Sequence, residues 1–270
     1  MTQQHSPDLE RRFGGLARLY GTEGAARIRA ARVAVVGIGG VGSWAAEALA
    51  RSGVGAITLV DLDNVAESNV NRQIHALTST LGQPKVEAMR QRIALIHPGC
   101  EVHCVEDFAA PGNWPALLPA AVDGVIDACD QVHAKQALAA WALKTRALFI
   151  TCGAAGGKRQ GERVEIADLA EVTHDPLMAA LRARLRQTGS MAKGGKNGKD
   201  RQARSGLHVV FSRETVTRPA ACGPQPGHDR NLNCHGYGSA VTVTATFGLV
   251  AAGWMLERLA QGWALQHPHT

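Results

Sequence analysis

Residues 32–61 read RVAVVGIGGVGSWAAEALARSGVGAITLVD, and the fold is decided there. Residues 32–37 are a short β-branched apolar run ending in glycine, the profile of a strand buried on both faces of a parallel sheet. A helical pattern follows over 41–52, closed by Gly53, and 56–60 form a second apolar run ending in Asp61. Between strand and helix stand Gly37, Gly39, Gly40 and Gly42, a G-x-G-x-x-G element. The first glycine permits a tight turn, the second lets a phosphate approach the backbone, and the third lets helix and strand pack closely. The amides at the helix start then face the anion. The bland alternative is a purely structural glycine turn. Asp61 weighs against it, standing where an acid accepts ribose hydroxyls.

Further along, 84–96 shows helical spacing of Val86, Met89, Ile93 and Ile96, with Pro84 at the first helical position. Strands are predicted at 101–105, 124–129 and 148–152, and a helix at 132–144. Strands alternating with helices of this length predict an α/β, Rossmann-like, mostly parallel sheet with helices on both faces. The second half extends it with strands at 163–166 and 207–212 and a helix at 176–186. Residues 238–256 carry no charge and approach the roughly 20 apolar residues of a membrane span. Threonines, a serine and three glycines dilute this stretch, so a buried C-terminal core helix is expected, with a membrane span as the alternative.

Hydrophobic residues make up 45% of the 270 and charged residues 19%, enough apolar material to exclude disorder of the whole chain. Aromatics, at 4%, are too few for a wall of stacking rings against single-stranded nucleic acid. The net charge of +6 points to an anionic partner. Residues 188–206 hold five basic residues, five glycines and one acid, with almost nothing to bury. We expect one domain over 1–270 with a mobile basic insertion at about 188–206. A solvated linker without a ligand is the alternative. The six cysteines, at 100, 104, 129, 152, 222 and 234, include no C-x-x-C, which excludes a paired-CxxC zinc site and a thioredoxin-like motif. Their sparseness fits a reducing cytosol. Residues 1–13 have no apolar core and do not read as a secretory signal, so a cytoplasmic protein is expected.

Residues 61–73, DLDNVAESNVNRQ, concentrate polar chemistry: Asp61, Asp63, Asn69 and Arg72, with Lys85 following. A dinucleotide oxidoreductase needs one acid here and has little use for the rest. A nucleotidyl-transfer enzyme needs them all. When a carboxylate attacks an α-phosphate, charge grows on the phosphoryl oxygens and the departing pyrophosphate, and fixed Arg and Lys side chains stabilise it. Taken singly, Arg72 or Lys85 could belong to a solvated loop. In DACD, Asp130 lies beyond a strand's carboxyl end, where it could hold Mg²⁺ on a triphosphate or simply cap the next helix.

Together these residues resemble the adenylating superfamily of ubiquitin-activating enzymes, ThiF and molybdopterin-synthase adenylyltransferase, over residues 12 to about 153. The resemblance implies that Asp61 binds ribose, that Asn69, Arg72 and Lys85 bind phosphate, and that Asp130 holds magnesium beside ATP. It also implies an obligate homodimer in which an N-terminal arginine reaches the partner's phosphates, with Arg18 the candidate and Arg12 the alternative. Sulfur-carrier activators of this group carry two CxxC pairs for structural zinc, which this chain lacks. RFGGLARLYG, NVNRQIHAL, TCGAAGG and VTVTATFG instead resemble the tRNA threonylcarbamoyladenosine dehydratase family, over nearly the full length. That resemblance implies ATP-dependent closure of the threonylcarbamoyl carboxylate into a ring, on the adenosine beside the tRNA anticodon, with tRNA drawn to the basic segment and to Arg182, Arg184 and Arg186. Activation of a ubiquitin-like sulfur carrier ending in Gly-Gly is the alternative. Cys234 could serve a cysteine-desulfurase or sulfur-acceptor partner, although ring closure needs no thiolate. Cys129 and Cys152 read as core, His75 and His235 as pocket neighbours. A monovalent-cation site built from main-chain carbonyls would leave no trace in sequence.

Overall fold

The computed structural model describes residues 7–192, 204–217 and 237–263. Its strands are β1 (Arg32–Val36), β2 (Ala56–Val60), β3 (Glu101–Val105), β4 (Gly124–Asp127), β5 (Phe149–Cys152), β6 (Val164–Asp168) and β7 (His208–Ser212). They form one seven-stranded sheet in the order β3-β2-β1-β4-β5-β7-β6. Every neighbouring pair is parallel except β6 and β7, so β6 is an antiparallel edge. The helices are α1 (Leu9–Phe13), α2 (Gly15–Ala30), α3 (Gly42–Arg51), α4 (Lys85–Ile96), α5 (Val132–Thr145), α6 (Pro176–Gln187) and α7 (Val241–Ala260).

Alternation along the strands sorts the core into two layers. Val33, Val35, Ile57, Leu59, Ile126 and Ile150 point to one face, where residues of α2, α3, α4 and α7 cover them. Ala34, Val36, Val125 and Phe149 point to the other, against α5 and α6. The apolar runs read as doubly buried strands are therefore doubly covered. In the charge-free segment, Phe247, Ala251 and Met255 of α7 are fully buried. Burying a side chain the size of Phe247 or Met255 contributes roughly 1.5–3 kcal/mol. Among the described residues no helix is long and apolar enough to cross a membrane, and the charge-free part of α7, up to residue 256, packs into the core of the protein.

Several boundaries differ from the sequence reading. The strand expected over 124–129 ends at Asp127, whose carboxylate accepts from Cys129 N and turns the chain out of the sheet. Pro84 is the N-cap of α4, and Lys85 is its first helical residue. α2 was not anticipated at all: it is kinked at Gly21 (φ 74°, ψ 164°) and buries only Gly24, Ala25 and Ile28. Of the basic segment, 193–203 lie outside the described residues, as do Cys222, Cys234 and His235.

Candidate active site

A cavity of about 700 Å³ opens at the carboxyl ends of β1, β2, β4 and β5. Chain order runs outward in opposite directions from β1 and β4, so the cavity lies at the topological switch point, the usual ligand crevice of an open α/β sheet. Val36, Gly37, Gly39, Gly40 and Val41 form one wall. Gly37 has φ 86°, and a Cβ there would stand 2.8 Å from Cys129 N. A Cβ on Gly42 would stand 1.8 Å from Gly37 O, which no rearrangement of a side chain could relieve. Both positions require glycine. α3 begins without a side-chain cap; Ser43 N donates to Gly39 O at 3.1 Å, so an anion would meet the other amides of the first turn.

Asp61, Asp63, Asn69, Arg72, Lys85 and Asp130 all line this cavity. Asp61 accepts from Ile38 N at 2.6 Å and from Asp63 N at 2.9 Å, which locks its carboxylate under the glycine loop. Burial raises its pKa, outweighing the opposing pull of Lys85 and of these two amides. Lys85 Nζ donates to Asp63 Oδ2 at 2.6 Å and lies 3.8 Å from Asp61 Oδ1. Its own amide donates to Asp63 O at 2.9 Å, so backbone and side chain both tie the start of α4 to the end of β2. Asn69 spends its side-chain oxygen on Ala66 N at 3.0 Å, leaving the NH₂ end of the carboxamide for a ligand. Arg72 lays its stem beside Gly40 and donates to Ser68 O at 2.7 Å, while Trp44 Nε1 holds the Arg72 carbonyl at 2.9 Å. Asp130 does not occupy the helix-cap position, since the N-cap of α5 is Gln131.

Arg18 and Arg12 are not in this cavity. Arg18 is exposed on α2, and Arg12 donates to Ile96 O at 2.5 Å, at the end of α4. Gln73 and Thr244, which the sequence reading passed over, are buried and line the cavity; Gln73 Oε1 and Thr244 Oγ1 have no protein partner among the described residues. His75 is buried without a hydrogen-bond partner for either ring nitrogen among the described residues. Burial first, then Lys85 and Arg92, lower its pKa to about 4. Cys129 is a half-buried wall of the cavity, not a strand core residue. Asp127 does not reach the crevice, being fully buried and turned towards Lys135 and Thr151. The signal for that pairing was Lys135 itself, a lone charge beside Ala134, Leu138, Ala139 and Ala142 on the apolar stripe of α5. Arg182 is also committed internally, donating to Leu169 O and Val172 O, both at 2.9 Å, whereas the Arg184 guanidinium nitrogens lie 3.3–3.4 Å from the ring nitrogens of His133. No three His, Cys, Asp or Glu side chains converge as a metal site among the described residues.

The ThiF family profile matches residues 14–268. The tRNA threonylcarbamoyladenosine dehydratase of Escherichia coli (strain K12) is 42% identical over 255 residues, covering 92% of this chain and 93% of its own. The dehydratase of the same name from Haemophilus influenzae is 39% identical over 256 residues, covering 93% and 94%. The crystal structure of the E. coli tRNA N6-threonylcarbamoyladenosine dehydratase in complex with ATP aligns with a TM-score of 0.83 at 41% identity, over 97% of this chain and 98% of that one. The chain therefore belongs to the ThiF family, in its tRNA threonylcarbamoyladenosine dehydratase branch.

Proposed function

We propose that this chain is an ATP-dependent dehydratase that cyclises threonylcarbamoyladenosine beside the tRNA anticodon. The observation that carries the reading is convergence. A glycine loop, an uncapped helix start, the carboxylates of Asp61, Asp63 and Asp130, an asparagine, an arginine and a lysine all face one cavity of nucleotide size. The near-full-length likeness to dehydratases then selects the reaction among adenylating chemistries.

ATP lies with its ribose against Asp61 and Asp63 and its phosphates along Gly39–Gly42. The substrate carboxylate oxygen attacks the α-phosphorus, the bond from that phosphorus to the bridging oxygen breaks, and pyrophosphate departs. Arg72, Lys85 and the Asn69 amide hold the oxygens on which charge accumulates. Hydroxide, a poor leaving group, has now become AMP. An internal nucleophile of the threonylcarbamoyl group attacks the acyl carbon, the bond to AMP breaks, and the nucleophile's proton goes to solvent. The net change is loss of one water from the nucleoside. Asp130 would hold Mg²⁺, which neutralises charge on the triphosphate when bound. A single carboxylate suffices, since magnesium takes most of its shell from phosphate and water.

The active form is proposed to be a homodimer in which Arg18 reaches the partner's phosphates. Arg18 is exposed, whereas Arg12 is already bonded to Ile96 O. Leu62, Val70, Leu77 and Leu81, along the segment that carries Asn69 and Arg72, are exposed apolar side chains available for such a contact. Arg184, Arg186 and the basic segment supply phosphate-directed attraction for tRNA. The test is ATP–pyrophosphate exchange with threonylcarbamoyl tRNA or with a Gly-Gly-ended carrier protein as acceptor. Exchange with the tRNA supports the reading; exchange only with the carrier overturns it in favour of sulfur-carrier activation.

A further inference from the structure

Beneath the cavity, three fully buried polar side chains close on one another. Asp127, at the end of β4, accepts through Oδ2 from Lys135 Nζ at 3.1 Å and from Thr151 Oγ1 at 2.7 Å. Lys135 Nζ also donates to Thr151 Oγ1 at 3.0 Å. Asp127 Oδ1 accepts from Cys129 N at 3.1 Å and from Cys129 Sγ at 2.9 Å. The carboxylate thus makes four bonds, filling its acceptor capacity. All three side chains are inaccessible to solvent.

A buried ion pair is a poor source of stability, because desolvation offsets most of the attraction and apolar residues of equal volume serve as well. What this pair does control is geometry. Asp127 and Lys135 bracket the turn at 128–130 from the end of β4 and the first turn of α5, and Thr151 brings in β5 two residues before the cavity wall at Gly153. The turn itself backs onto the glycine loop: Ala128 O would stand 2.9 Å from a Cβ on Gly37. It also carries Asp130 into the cavity. The Cys129 side chain, in the middle of the turn, donates its thiol to the same Asp127 carboxylate and ties the turn to it directly.

We propose that Asp127, Lys135 and Thr151 are positioning residues that fix the 128–130 turn, and through it set the aim of the Asp130 carboxylate at a divalent cation on the nucleotide. This rests on the reading that Asp130 serves that cation. Outer groups that orient a ligating side chain typically influence metal affinity by about 10–100-fold.

The test uses the full chain, with Asp127→Asn/Lys135→Met as a charge-free replacement and Thr151→Val as a milder, near-isosteric one. Calorimetry measures the affinity for a non-hydrolysable ATP analogue with Mg²⁺ and with EDTA, and thermal unfolding confirms folding. The expected result is unchanged affinity in EDTA, with the gain from Mg²⁺ reduced about tenfold or more in the double variant and less in Thr151→Val. A merely structural role would move stability and leave the Mg²⁺ gain intact. That outcome in either folded variant overturns the proposal. Asp130→Asn separates the two layers of the argument. If it loses the Mg²⁺ gain while the other variants keep it, the positioning role alone fails. If Asp130→Asn keeps the gain, the Asp130 reading fails and takes the positioning role with it.

Discussion

The Lys85 ammonium stands 2.6 Å from Asp63 Oδ2 and 3.8 Å from Asp61 Oδ1, a cation held by two acids over the carboxyl end of β2. Without a nucleotide, these acids keep Lys85 in place; a triphosphate offers it a stronger anion in the same cavity. Lys85→Met should cut kcat/KM for AMP formation by about 10²–10³, the magnitude of one lost donor to a developing phosphoryl charge, or about 3–4 kcal/mol. Lys85→Arg should rescue only partly, because a planar guanidinium does not replace a point charge in a buried site. Turnover near the parent value in Lys85→Met would remove Lys85 from the phosphate clamp.

Gly42→Ala tests the glycine loop. Its Cβ would lie 1.8 Å from Gly37 O, so the loop must open before the protein can fold around it. Overpacking of this kind costs about 1–3 kcal/mol or more. The variant should melt earlier and lose ATP binding by calorimetry. Unchanged ATP affinity would mean that the phosphates do not lie along Gly39–Gly42.

His75 should give the fold a pH dependence. In the unfolded chain an imidazole takes up a proton below about pH 6.5. In the folded protein, burial, Lys85 and Arg92 delay that uptake to about pH 4. The unfolded state therefore binds more protons across this window. Stability is complete above pH 6.5 and is lost as pH falls towards 4, by on the order of 3 kcal/mol. Thermal melts from pH 7 to 4 should show this slope, and His75→Leu should flatten it. An identical slope in the variant would place its origin elsewhere.

The arginines of α6 should separate by role. Arg184→Ala and Arg186→Ala should weaken tRNA binding and reduce the salt dependence, by about 0.7–0.9 in log–log slope for each phosphate no longer neutralised, with ATP affinity unchanged. Arg182→Ala should instead lower the melting temperature, because its guanidinium satisfies two carbonyls, Leu169 O and Val172 O. Equal salt slopes for the parent and the first two variants would exclude Arg184 and Arg186 from the tRNA surface.

The sheet was legible because β1, β2, β4 and β5 are buried on both faces, and such strands write themselves as uninterrupted apolar runs. The glycine loop and the polar 61–73 segment were legible because their chemistry is local in sequence, and the cavity gathers them with Lys85. Parity was harder to read. Asp127 and Asp130 both follow the apolar run of β4, but Asp127 is still in the strand and shares the face of Val125, whereas Asp130 lies past the turn and faces the cavity. The partnership of Lys135 with Asp127 and Thr151 joins three elements, and no spacing announces it. α2 left little pattern, because its alanines, glycines and arginines bury only one narrow strip against the end of α7.

The central claim is that this cavity activates a tRNA-borne carboxylate with ATP and closes it into a ring. Mass spectrometry of nucleosides from threonylcarbamoyl tRNA incubated with the protein, ATP and Mg²⁺ tests it most directly. The account predicts that threonylcarbamoyladenosine loses the mass of one water, that one AMP and one pyrophosphate appear for each nucleoside converted, and that nothing changes without ATP. A nucleoside of unchanged mass, with the protein folded and ATP bound, would contradict it.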